Sequence, residues 1–100
     1  MNRQEILEEL KKHKKALENF GVKKIGIFGS YARNEATKKS DVDIIIEFEE
    51  GKATFDNVAG VVDFLEELLE APVDLLTPAG IESIRIKKVR ETIKKEIVYA

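Results

Sequence analysis

Two short stretches of this chain bring together residue types that can do chemistry. Gly29-Ser30-Tyr31-Ala32-Arg33 offers a small-residue turn followed by a guanidinium. Ser40-Asp41-Val42-Asp43-Ile44-Ile45-Ile46 sets two carboxylates one residue apart at the head of an apolar, β-branched run. On a strand, residues i and i+2 point to the same face. Two acids placed side by side repel each other, and a packed core has no use for the pair; a bound divalent cation does. At the turn, glycine lets the backbone approach a phosphate closely. The short helix expected to start at Tyr31 would add unpaired N–H groups, and the Ser30 hydroxyl can donate to a phosphate oxygen. Arg33 lies about one helical turn on, where it is either a phosphate contact or half of a salt bridge to an acid such as Glu35.

The surrounding pattern must hold these residues in place. Ile6, Leu7, Leu10 and Leu17 follow helical spacing and predict a helix over residues 3–19, with Asn2 and Glu5 as a capping box and Gly21 as the stop. Residues 24–28 suit a short strand ended by Gly29-Ser30, and Val42 to Phe48 is the clearest strand. Thr54 can cap a helix over residues 55–70, with Phe55, Val58, Ala59, Val62, Leu65 and Leu69 on its apolar stripe, ended by Pro72. Residues 73–76 are β-like. Thr77-Pro78 reads as an N-cap followed by proline, and Ile86, Val89, Ile93 and Ile97 describe a last amphipathic helix. The order α, β, short α, β, α, β, α predicts an α/β (α+β) fold, a small mixed β-sheet with helices packed on one face. Strand parity puts Val42, Ile44, Ile46 and Phe48 on the covered face, and Asp41, Asp43, Ile45 and Glu47 on the other. Asp74, flanked by Val73 and Leu75, can join that second face if the two strands are neighbours.

Three carboxylates from two strands are hard oxygen donors suited to Mg²⁺ or Mn²⁺. With one histidine and no cysteine in the chain, most zinc arrangements are excluded. Such acid clusters commonly serve phosphoryl or nucleotidyl transfer. The joint pattern of Gly-Ser-x-Ala-Arg, Ser-Asp-x-Asp within an apolar strand, and a later lone acid in Val73-Asp74-Leu75-Leu76 resembles the nucleotidyltransferase superfamily related to DNA polymerase beta. More closely, it resembles the minimal nucleotidyltransferases (MNT) that act as antitoxins to HEPN-domain ribonuclease toxins, over nearly the whole chain. The resemblance implies the polymerase beta-like nucleotidyltransferase fold. It further implies that Gly29 and Ser30 bind a nucleoside triphosphate, that Asp41, Asp43 and Asp74 bind metal, and that Asp74 is the candidate general base. It also implies transfer of AMP from ATP to a tyrosine of the partner toxin. Asn34 departs from the family, which has glycine after Ala-Arg; Asn tolerates the left-handed backbone better than other non-glycine residues.

Composition bounds the alternatives. One hundred residues, 43% apolar and 36% charged, make one globular domain, residues 1–100. Seventeen basic against nineteen acidic residues weigh against a protein that coats nucleic acid. No signal peptide or bilayer-length apolar run is visible, and no cysteine is present; a cytoplasmic protein is the expectation. The run Lys11-Lys12-His13-Lys14-Lys15 reads as a solvated helix face and His13 as non-catalytic, while Tyr31 is expected to pack beneath the turn. The basic residues of the last helix, Lys87, Lys88, Arg90, Lys94 and Lys95, read as a docking face rather than as chemistry. Ile45 and Ile97-Val98-Tyr99 read as exposed apolar residues able to mark an interface. Two rivals stand beside protein modification: a non-catalytic module that masks the toxin, and nucleotidyl transfer to RNA or to a small molecule such as an aminoglycoside.

Overall fold

The computed structural model describes residues 1–100. α1 (Arg3–Lys12) opens with the expected capping box: the Asn2 side chain accepts the Glu5 amide and the Glu5 carboxylate accepts the Asn2 amide, each at 2.9 Å. The expected continuous helix is split at His13, and α2 (Lys14–Glu18) follows. There the imidazole Nδ1–H donates to the Glu9 carbonyl at 2.9 Å, a side-chain bond competing with regular helical geometry. His13 is otherwise packed edge-on against Phe64.

β1 (Val22–Phe28), β2 (Val42–Phe48), β3 (Val73–Leu76) and β4 (Val98–Tyr99) form one mixed sheet in the order β3-β2-β1-β4. β1 runs antiparallel to β2 and β4, and β2 runs parallel to β3. The parallel pair needs a crossover, which α4 (Phe55–Leu69) supplies. α4 starts where Thr54 accepts the Asn57 amide at 3.2 Å and ends at Glu70 in the left-handed region, φ 53°. A bulge between Val22 and Lys24 resets the parity of β1, so Val22 joins Ile25 and Ile27 on one face.

That face holds the main core. Val42, Ile44 and Ile46 pack with Ile6, Leu10 and Leu17 of the N-terminal helices and with Val61, Leu65 and Leu69 of α4. Each fully buried Ile or Leu contributes about 1.5–3 kcal/mol. The parity expected for β2 is therefore found.

Five expectations need correction. Helices do not cover one face only: α5 (Pro78–Glu82) and α6 (Lys87–Glu96) fold back over the other. Their Ile81 and Ile93 close over Phe28 and Ile45, leaving Ile45 2% exposed rather than open. Alternation told which face Ile45 takes, but its cover comes from distant sequence. Phe55 is 85% exposed instead of lying on the buried stripe. The whole run from Glu49 to Asp56 is exposed, and the core-facing line of α4 starts only at Val61. The final helix stops at Glu96, because Ile97 turns extended and Val98–Tyr99 pair with β1. That close pairing needs Gly26, where an added Cβ would come within 2.8 Å of the Val98 carbonyl oxygen. Ile97 and Val98 are thus packed within the fold, against the second and first clusters respectively.

Ile45→Ala is expected to destabilise the fold by about 2–5 kcal/mol in urea unfolding, whereas Phe55→Ala shifts it by less than about 0.5 kcal/mol. Comparable effects of the two substitutions would contradict this packing.

Candidate active site

Phe28 ends β1 in extended geometry, and Gly29 then turns the chain at φ +71° into the short helix α3 (Gly29–Ala32). The glycine is required twice over. Its φ disfavours a side chain, and an added Cβ would overlap the Asp43 carboxylate. This closeness follows from register, since Phe28 stands opposite Asp43 in the β1–β2 ladder. The turn is closed by Glu35 N–H donating to the Ser30 carbonyl at 2.8 Å, with Asn34 at φ 58°. Asn34 thus takes the left-handed backbone as expected of it. Tyr31 and Ala32 are buried in the main core and anchor the turn from below, also as expected.

On its other side, Asp43 stands directly opposite Asp74 in the parallel β2–β3 ladder, and Asp41 lies immediately before β2. The neighbouring strands that the parity argument required are therefore found. Asp43 is half-buried, while Asp41 and Asp74 are exposed. Burial pushes the Asp43 carboxyl above the usual carboxylate range, with the charges of Asp74 and then Asp41 adding to the shift. No hydrogen bond relieves it, and Arg33 is the one nearby charge acting the other way.

Arg33 is held in ion pairs. Its Nε donates to Glu35 at 3.2 Å and its Nη1 to Glu96 at 2.9 Å. These bonds, the one to Glu35 foremost, hold the guanidinium pKa above its ordinary value. Glu35 was legible as a partner from its proximity in sequence; Glu96, on α6, was not.

Gly29, Ser30, Arg33 and Asp43 line a cleft of about 500 Å³, whose opposite wall is α6. Lys88, Thr92 and Glu96 line it at i, i+4 and i+8, and Val89 and Ile93 add an apolar strip. Sequence reading missed this wall and assigned Lys88 to docking. The polar i, i+4, i+8 row was the signal available. A separate groove of about 430 Å³ beside Lys11, Lys14, Lys23 and Lys24 contains none of the candidate residues.

The three aspartates do not close into a metal ligand set as they stand, and mutual repulsion opposes their doing so unaided. Their chemistry nonetheless fits a hard divalent cation: all donors are carboxylate oxygens, two are in register, and Asp43 carries a charge that nothing else neutralises fully. No helix is long and apolar enough to cross a membrane.

The chain has recognisable relatives. Residues 4–100 match the family described as nucleotidyltransferase domain. The protein adenylyltransferase MntA of Thermococcus cleftensis is 41% identical over 97 residues, covering 96% of this chain and 93% of the relative. A solved structure provisionally named a minimal nucleotidyltransferase superposes with TM-score 0.75 at 28% identity, over 98% of this chain and 95% of that one. A chain from a toxin–antitoxin crystal structure with AMP-PNP shares the fold, with TM-score 0.59 at 22% identity over 99% of this chain and 72% of that one.

Two outcomes follow from the geometry. Gly29→Ala should cost about 1–3 kcal/mol in urea unfolding, and more than Gly51→Ala, where φ is also positive but the space is open. An equal cost at both positions would refute the contact with Asp43. In metal-free buffer Asp43→Asn should unfold at a higher temperature than the unsubstituted protein at neutral pH. Because the folded-state pKa is raised, protonation favours the native chain, and the destabilisation sets in as pH rises through that pKa. The advantage of Asn should therefore shrink as pH falls through the raised pKa and be gone once pH is below the ordinary carboxylate range; an advantage independent of pH would contradict the assignment.

Proposed function

The chain belongs to the nucleotidyltransferase domain family, and from that premise we propose that it transfers AMP from ATP to a hydroxyl of a partner protein. The acceptor in this reading is a tyrosine of a HEPN-domain toxin, and the chain acts as its antitoxin. One observation carries the site: Asp43 is held between the Gly29 turn on one side and Asp74 on the other, at the floor of a cleft large enough for a nucleotide. The likeness to MntA supports adenylyl transfer in particular. The shared fold of the toxin–antitoxin chain crystallised with AMP-PNP is compatible with the partner and the nucleotide.

In this mechanism Asp41, Asp43 and Asp74 would hold Mg²⁺, with Mn²⁺ as a substitute. When bound, the metal draws charge from the triphosphate and lowers the pKa of the attacking hydroxyl. Gly29 gives the phosphates close access to the backbone, and Ser30 donates to a phosphate oxygen. The acceptor oxygen attacks the α-phosphorus, forming one P–O bond as the bond to the β-phosphate oxygen breaks. Pyrophosphate leaves and Asp74 takes the hydroxyl proton. The cleft wall formed by α6 sets the approach of the acceptor.

The test uses ATP, Mg²⁺ and the protein encoded by the neighbouring gene, with intact mass as readout. The partner should gain adenylate increments with the unsubstituted chain. Asp43→Asn should slow this at least roughly 100-fold, and chelating the metal should stop it. Equal modification by both proteins would overturn the catalytic assignment. Toxin neutralisation by Asp43→Asn without any mass increment would instead favour masking.

A further inference from the structure

The positive charges around the cleft are unequally free. Arg33, the residue whose spacing fits phosphate contact, already donates to Glu35 and to Glu96. To meet a phosphate it would first have to release charge-assisted hydrogen bonds to two carboxylates. On α6, Lys94 is paired with Glu82, and Arg90 with Glu91 and the Ile84 carbonyl. Lys87, Lys88 and Lys95 have no such partner, and of the three only Lys88 lines the cleft. It shares that lining with Gly29, Ser30 and Asp43. The Thr92 hydroxyl, one turn further on, is engaged by donating to the Lys88 carbonyl at 2.7 Å, so the ammonium is the free polar group of that row.

We propose that Lys88 is the cation that binds the polyphosphate of the nucleoside triphosphate in this cleft, in the place that spacing alone gives to Arg33. The assignment rests on the nucleotidyl-transfer reading and deepens it. A nucleoside triphosphate brings several negative charges to a site already carrying Asp43, with Asp41 and Asp74 beside it. A compact ammonium on a flexible four-carbon stem can reach those oxygens without breaking an existing ion pair. The Arg33–Glu96 bond then has a different consequence: it links the end of α3 to α6 across the cleft that Lys88 lines.

Calorimetric titration with MgATP and with inorganic tripolyphosphate tests the proposal on the unsubstituted protein, Lys88→Gln, Lys88→Arg and Lys95→Gln. Lys88→Gln should weaken both ligands by roughly tenfold or more, the loss of one charge-assisted hydrogen bond. Lys88→Arg should recover most of that loss. Lys95→Gln makes the same change in net charge away from the cleft and should stay within about twofold, the scale of a screened surface charge. Thermal unfolding of Lys88→Gln should match the unsubstituted protein, since the side chain is exposed. Binding by Lys88→Gln equal to the unsubstituted protein overturns the assignment alone, as does an equal loss in Lys95→Gln. An unsubstituted protein that binds neither ligand overturns it together with the nucleotidyl-transfer reading.

Discussion

Asp43 is fixed from both sides by backbone pairing, with Phe28 opposite it in one ladder and Asp74 in the other. Its backbone cannot move away from the Gly29 turn or from its fellow acids without breaking β2 out of the sheet; only side-chain rotation is left to the carboxylate. Left to electrostatics, the arrangement would open: burial and two neighbouring charges oppose ionisation. What holds it is the other face of the same strand. Val42 and Ile44, flanking Asp43 in sequence, are almost completely buried in the main core. At about 1.5–3 kcal/mol each, their burial matches the few kcal/mol by which like charges repel at partly screened, short range. The strand is thus anchored by its apolar residues so that its acidic one can stand where it would not go by itself.

The second hydrophobic cluster extends this constraint to the rest of the cleft. Phe28, next in sequence to Gly29, packs with Ile45 and Ile81, and Ile93 of α6 closes over them. Ile93 also lines the cleft. One set of apolar contacts therefore seats the turn and the facing helix against the same strand. With α6 held this way, its row of Lys88, Thr92 and Glu96 faces the Gly29 turn, and the Arg33–Glu96 ion pair latches the two walls. β4 follows directly from the end of α6 and pairs back onto β1, so the helix is tethered to the sheet at its C-terminal end as well. The site is small, but each of its walls is tied to a buried element.

What sequence revealed and what it hid divide along physical lines. That Asp41, Asp43 and Asp74 could share a face was legible because strand alternation is strict and the acids interrupt apolar runs; that β2 and β3 are neighbours, with Asp43 opposite Asp74, came only from the fold. Asn34 was legible because few residues accept a left-handed backbone. Ile45 was not: alternation assigns a residue to a face but says nothing of what covers that face, and its cover begins 36 residues later at Ile81. Phe55 misled because a long apolar helix offers a wide stripe, and only the position of the sheet decides which part is buried. The Arg33–Glu96 pair spans 63 residues, a contact between like-looking surface charges that local spacing cannot select. Lys88 was hidden for the same reason, as one lysine among several on a basic helix until α6 was placed against the turn.

The central claim is that the aspartates at the head of β2 and β3 form one cation site with the Gly29 turn. Substoichiometric Mn²⁺, added with ATP and followed by paramagnetic broadening of backbone amide signals, tests it most directly. The account predicts that Gly29, Asp43 and Asp74 broaden first and together, and that this selectivity disappears in Asp43→Asn. Broadening centred on other acidic stretches such as Glu49-Glu50, or a pattern unchanged in Asp43→Asn, would contradict it.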